Sequence, residues 1–199
     1  MKFSIVMPSR LIPYPKCASF LDQKIVRAIT SVLNQSFTDF ELIVIADGCE
    51  KTKHIISTLF ADKRLVLLEC EHKALFDNLP RNTGIKYATG DYIIYIDIDD
   101  YWGEDHLKTI ESELKDYDWV FYNDIIYNGD WIERACNIKT LGGCGTSNVC
   151  YRRSLNIKWG RPGYAHDYYF IKQLLTFTNS SKITTPEYYV MHIPGLFDK

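Results

Sequence analysis

The 199-residue chain has no apolar run approaching the roughly 20 residues that a membrane-spanning helix requires. That leaves room only for peripheral membrane contact. No signal peptide is expected either, because Phe3-Ser4-Ile5-Val6-Met7 already reads as a strand. The formal net charge is only −2, which excludes a protein that holds nucleic acid by neutralising phosphates. Six cysteines (Cys17, Cys49, Cys70, Cys136, Cys144 and Cys150) include no C-x-x-C pair. Structural zinc needs such closely spaced ligands and is not expected. Free thiols in a reducing, cytoplasmic setting are the expectation instead. Internal repeats, linkers and low-complexity segments are also lacking, so residues 1–199 are read as a single domain.

What the chain does have is a β-branched and aromatic run, Tyr92-Ile93-Ile94-Tyr95-Ile96, that ends in Asp97-Ile98-Asp99-Asp100-Tyr101-Trp102. The run reads as a buried strand. Three carboxylates so close repel one another unless a positive charge sits among them. A hard divalent cation, Mg²⁺ or Mn²⁺, suits such a site, binding through one or two carboxylates and the phosphates of a substrate. In open α/β sheets ligands lie beyond the carboxyl ends of the strands, where this turn falls. A solvated acidic turn is the competing reading of the acids taken alone.

Around that strand the chain predicts a doubly wound α/β pattern. Strands are expected at residues 2–7, Phe40 to Ala46 and Leu65 to Leu68, and helices at Asp22 to Asn34, 50–60 and Arg81 to Ala88. Asp22 is the expected N-cap of the first helix. Phe40 to Ala46 is almost wholly apolar, which implies burial on both faces and hence a parallel sheet covered by helices. The second half is less regular. A helix over Gly103 to Lys115, capped by Asp100, and a strand over Trp119 to Tyr122 are expected. Asn128-Gly129 signals a hairpin. A Gly-rich turn over Leu141 to Asn148 lacks the order of a phosphate loop. A last helix over Asp167 to Thr176 and a strand over Tyr188 to His192 close the chain.

Five segments in order resemble the family 2 glycosyltransferases, inverting enzymes of the GT-A fold. They are Ile5-Val6-Met7-Pro8-Ser9, the run from Ser31 to Gly48, Arg81-Asn82-Thr83-Gly84-Ile85, Gly90-Asp91-Tyr92-Ile93 into Asp97 to Trp102, and His166-Asp167. The resemblance implies a Rossmann-like, mostly parallel central sheet flanked by helices. A nucleotide-sugar half would fill about 1–102, and an irregular acceptor-side half about 103–199. It further implies a UDP-sugar donor, a glycan or glycoconjugate acceptor and a divalent metal, Mn²⁺ or Mg²⁺.

Residue by residue, the resemblance places Pro8, Ser9, Arg10, Asp47, Arg81, Asp97, Ile98 and Asp99 around the nucleotide sugar. Asp47 corresponds to the acid that pairs with the uracil edge, a sensible match of carboxylate to imide N–H. Asp99 is the implied metal ligand, and His192 falls where relatives carry a late His that also reaches the metal. Asp167 corresponds to the general base that inverting transfer requires, with His166 where relatives carry Glu. A helix-start acid favoured by the macrodipole is the structural alternative for Asp167. Two departures stand out: Ala46 replaces the first acid of a common D-D-G, and the loop after Pro8 is longer than usual. Two other functions remain open on the sequence. One is a nucleotide-sugar-binding module that has lost catalysis. The other is a D-x-D phosphatase, disfavoured because Asp100-Tyr101 stands where that motif carries Gly-Thr or a similar pair.

Overall fold

The computed structural model describes residues 2–75, 77–160, 162–163, 165–185 and 187–199. Strand and helix alternate through the first half: β1 (Phe3–Ser9), α1 (Leu21–Leu33), β2 (Phe40–Asp47), α2 (Glu50–Leu59), β3 (Leu65–Cys70), α3 (Leu79–Tyr87) and β4 (Tyr92–Tyr95). The second half holds β5 (Tyr101–Trp102), α4 (His106–Glu113), β6 (Trp119–Tyr122), β7 (Asp124–Tyr127), β8 (Trp131–Arg134), β9 (Val149–Arg152) and α5 (His166–Leu174). It closes with β10 (Ser180–Ile183), β11 (Tyr188–Tyr189), β12 (His192–Ile193) and β13 (Phe197–Asp198).

Seven strands form the central sheet in the order β10-β6-β9-β4-β1-β2-β3. The four on the β3 side run parallel, and β9 lies antiparallel to both β4 and β6. Alternate residues of the central strands feed two cores, one on each face. Phe3, Ile5, Met7, Leu42, Val44 and Ile94 pack with Ile25, Ala28, Ile29 and Val32 of α1. Val6, Ile43, Ile45, Ile93 and Tyr95 pack with Trp159, Phe170 and Leu174 on the other side. Burial on both faces is why these strands read as continuous apolar runs. The helix α3 comes close because Gly84 has no side chain: a Cβ there would lie 2.5 Å from Val6 Cγ1 and 3.0 Å from Ile45 Cδ1. That close approach sets Arg81, one turn earlier, at the strand ends. Among the described residues, no helix is long and apolar enough to cross a membrane.

Three local expectations are corrected. The helix α1 starts at Leu21, with Phe20 as its N-cap at φ 51°. Asp22 therefore lies inside the first turn, where the helix dipole favours an acid, and pairs with Lys51 at 2.6 Å. Asp100 does not cap the next helix, because Tyr101–Trp102 first pair antiparallel with β11 and α4 begins only at His106. Asp100 is buried instead; its carboxylate accepts from the Tyr188 hydroxyl at 2.6 Å and from the Met191 N–H at 2.9 Å. Cys136 and Cys144, expected as free thiols, are joined in a disulfide with a Cα–Cα distance of 5.0 Å. The Asn137 N–H bonds the Gly143 carbonyl and folds the intervening loop back on itself, so eight residues of separation become a contact. Cys17, Cys49, Cys70 and Cys150 remain free.

The expected final strand divides at Met191, and His192 belongs to a small β12–β13 ribbon. This ribbon is anchored by an ion pair between Asp198 and the buried Lys24 of α1, with the Ser19 hydroxyl and N–H also donating to Asp198. Burial raises the Asp198 carboxyl, but Lys24 and Ser19 outweigh it and hold the group well below the usual carboxylate range. The stability it contributes is therefore complete above about pH 4 and is lost as pH falls below that. Asp198→Asn should cost roughly 2–3 kcal/mol at pH 7, below the ~3–5 kcal/mol of a fully buried pair because Asp198 keeps some solvent contact. Urea unfolding of the variant measures this. A loss under about 0.5 kcal/mol, the scale of an ordinary surface substitution, would contradict the anchoring role.

Candidate active site

A cleft of about 430 Å³ opens beyond the carboxyl ends of β1, β2 and β4, and the residues singled out from the sequence all line it. They are Pro8, Ser9, Arg10, Asp47, Arg81, Asp97, Ile98, Asp99, Asp167 and His192. Its far wall is the Gly145–Asn148 turn, the start of α5 and the chain after β11. The parallel strands all end on this side, so residues far apart in sequence converge here.

At the β1 and β2 ends the groups hold one another. Ser9 shares a 2.8 Å hydrogen bond with Thr52 of α2 and is buried. Arg10 donates to the Asp47 carbonyl at 3.1 Å. The Asp47 carboxylate meets Nδ1 of His72 at 2.8 Å. His72 was not anticipated from the sequence. Gly48 makes that pair fit: it stands at φ +54°, and a Cβ on it would lie 2.7 Å from the His72 Cβ. Asp47 is thus fixed at the cleft, with Oδ2 held by His72 and Oδ1 accepting a weaker bond from the Cys70 thiol at 3.8 Å.

The D-x-D turn is pinned from several sides. Arg27 of α1 donates to the Asp99 carbonyl at 2.8 Å, and Ile98 packs against the core. Asp97 accepts from the Ser147 hydroxyl at 2.8 Å and lies 3.5 Å from Nη2 of Arg81. The Arg81 guanidinium itself rests on the Trp159 ring, 4.8 Å from its centroid. Burial, and then the charge of Asp97, push the Asp99 carboxyl up to about 6. The Asp99 carboxylate is therefore costly to ionise here without a cation beside it.

Asp167 stands in the first turn of α5 and accepts from Thr146 Oγ1 at 3.2 Å, with His166 Nε2 at 2.8 Å. Burial raises its carboxyl. The His166 hydrogen bond and charge, Arg81 and Thr146 together outweigh that and hold it below its ordinary range. Adjacent residues of one turn, Thr146 and Ser147, thus hold Asp167 and Asp97. The Gly-rich turn is legible in the sequence, but nothing there signals those bonds, which join residues 21 and 50 positions apart.

Hard carboxylate oxygens, one of them on a group whose charge is disfavoured by burial and by its neighbour Asp97, are donors that a Mg²⁺ or Mn²⁺ ion prefers. Among the described residues, no group of three His, Cys, Asp or Glu side chains is placed to hold an ion alone. Asp97 and Asp99 fit an ion that takes its remaining ligands from substrate phosphates and water. His192 lines the same cleft, but its Nε2–H donates to the Lys16 carbonyl at 3.0 Å and its Nδ1 lies 3.5 Å from Asp198. It would have to turn to reach an ion.

The sequence pattern that defines glycosyl transferase family 2 matches residues 18–178, most of the chain, and the protein belongs to that family of glycosyltransferases. The chain is 30% identical over 193 residues to the Escherichia coli UDP-Glc:alpha-D-GlcNAc-diphosphoundecaprenol beta-1,3-glucosyltransferase WfgD, covering 90% of this chain and 72% of that protein. Over 97 residues it is 34% identical to the Staphylococcus aureus poly(ribitol-phosphate) beta-N-acetylglucosaminyltransferase TarP, but spans only 30% of that relative. The fold is the GT-A fold of S. aureus TarS (residues 1–349), with a TM-score of 0.76 at 23% identity. That match covers 96% of this chain and 60% of TarS 1–349, which has also been solved with UDP and with UDP-GlcNAc. A Pyrobaculum calidifontis mannosyltransferase solved with GDP-Man and Mn²⁺ matches at a TM-score of 0.68 and 12% identity, over 98% of this chain and 58% of that one.

Proposed function

We propose that the protein is a metal-dependent, inverting glycosyltransferase that moves a sugar from a UDP-sugar to a hydroxyl of a glycan or glycoconjugate. The observation that carries this reading is the meeting of Asp97, Asp99 and Asp167 on one cleft at the strand ends, two of them tied through adjacent residues. In the proposal residues 1–199 act as one catalytic domain, with the donor on the half formed by about 1–102 and the acceptor on the half formed by about 103–199.

Pro8, Ser9, Arg10 and Asp47 border the base and ribose. Asp47 accepts the imide N–H of uracil on Oδ1, where the incoming N–H displaces or joins the weak bond from the Cys70 thiol. Arg81, braced on Trp159, offsets negative charge beside Asp97. Asp97 and Asp99 hold a divalent cation, with His192 as a further ligand if its ring turns. When bound, that cation supplies the Lewis-acid stabilisation of the departing diphosphate. Asp167 is ionised at neutral pH, as a base must be, and takes the proton of the attacking hydroxyl. The oxygen then bonds to C1 from the face opposite the diphosphate, and the C1–O bond to UDP breaks, which inverts the anomeric centre. Support for the donor class comes from relatives: WfgD is named for UDP-Glc, and TarS has been solved with UDP-GlcNAc. WfgD is also named for a GlcNAc-diphosphoundecaprenol acceptor, and TarP for poly(ribitol phosphate).

UDP release from a panel of UDP-sugars, with Mn²⁺, Mg²⁺ or chelator, tests the proposal. At least one donor should release UDP in the presence of metal and not with chelator. Turnover that ignores the chelator would remove the metal from the reading. Phosphate release from aryl phosphates in place of sugar transfer would return the phosphatase.

A further inference from the structure

Three arginines line the cleft among its described residues: Arg10, Arg81 and Arg134. The first two belong to the donor half, one donating to the Asp47 carbonyl and the other lying beside Asp97. Arg134 hangs from β8, the edge strand of a separate four-stranded sheet β5-β11-β7-β8 on the acceptor half. Nothing in the proposed chemistry uses it.

Its geometry is built. In the β7–β8 hairpin Arg134 stands directly opposite Asp124. Nε and Nη2 of Arg134 donate to the two Asp124 oxygens at 2.9 and 2.5 Å. Asn148, itself fixed by a 3.1 Å bond to the Tyr122 carbonyl, donates to Asp124 as well. The Asp124 side chain is 3% exposed and that of Arg134 43% exposed. The buried acid thus clamps one edge of the guanidinium, Nη1 takes part in neither bond, and the residue lines the cleft. With Arg134 this open to solvent, the pair adds little to stability, because water screens an ion pair that has one exposed partner. Its evident use here is to aim a guanidinium, and a planar fork of N–H donors matches the oxygens of a phosphoryl or carboxylate group.

We propose that Arg134 binds an oxyanion, phosphoryl or carboxylate, carried by the acceptor, so that the acceptor is an acidic glycan or phosphate-linked glycoconjugate. This rests on the glycosyltransferase reading, with the donor on the opposite wall. Asp124 and Asn148 are positioning residues, and Arg134 is the group that touches the ligand.

The test uses the full chain saturated with UDP and Mg²⁺. Dissociation constants are measured by NMR titration for N-acetylglucosamine 1-phosphate, a methyl glucuronide and the neutral methyl N-acetylglucosaminide. At least one acidic probe should bind about tenfold or more tightly than the neutral one, the scale of one charge-assisted pair. The acidic probe that gains identifies the oxyanion. R134Q should erase the gain while its UDP affinity stays within about twofold of wild type, a split that loss of folding would not produce. R134K, which keeps a cation but loses the fork, should fold even if R134Q does not and should keep only part of the gain. Equal binding of all three probes by the wild type, or a gain that survives R134Q, overturns the assignment. Failure of the wild type to bind UDP at all would instead defeat the transferase reading beneath it.

Discussion

Asp167→Asn is expected to lower sugar transfer by about 10²–10⁴-fold, the range that a positioned general base supplies. Asparagine has nearly the shape of aspartate and can still accept from Thr146, so the wall of the cleft should persist. What it cannot do is take a proton from the acceptor hydroxyl. The effect should fall on kcat, with UDP affinity unchanged, because the bonds of Asp167 run to His166 and Thr146 and not to the donor side. Since its carboxyl is held below the ordinary range, Asp167 itself should impose no fall in rate anywhere above about pH 4. Steady-state kinetics of the variant, with UDP titrated separately, decide the matter. Near-full turnover would mean that Asp167 is only a helix-start acid.

Asp99→Asn should abolish metal-dependent UDP binding and turnover, yet make the metal-free protein more stable at neutral pH. The sign follows from linkage. With its carboxyl pushed up to about 6, the folded protein holds a proton that the unfolded chain releases near pH 3.9. Stability therefore falls as pH rises through that window, and at pH 7 the full penalty of a crowded charge is present. Asparagine removes it, for a gain of roughly 1–2 kcal/mol at pH 7. The difference from wild type should vanish near pH 4. Urea unfolding at the two pH values measures both ends. A variant less stable than wild type at pH 7 would mean that Asp99 serves structure and not a ligand.

Much of this was legible because local chemistry and burial agree in the first half of the chain. Apolar runs such as Leu42 to Ala46 can only be central strands, and the acids at 47, 97 and 99 fall where strands stop. Asn128-Gly129 turned the β7–β8 hairpin, with the glycine at φ +80°. What escaped was made by tertiary contact. Asp100 had every local mark of a helix cap, but Tyr188, 88 residues away, captures it as β11 pairs with β5. His72 sits in the polar loop between β3 and α3, and only the turn at Gly48 brings it to Asp47. Cys136 and Cys144 carry no spacing signal, because a loop folding on itself and not a motif unites them. The pairing of Thr146 and Ser147 with Asp167 and Asp97 is of the same kind.

Thermal unfolding with UDP and with GDP, each with Mn²⁺ or with chelator, tests the central claim most directly. A ligand at about a hundred times its dissociation constant stabilises by roughly 2.7 kcal/mol, a shift that is easily seen. The account predicts stabilisation by UDP that requires the metal, exceeds that of GDP and disappears in Asp99→Asn. Equal indifference to both nucleotides, with and without metal, would contradict it.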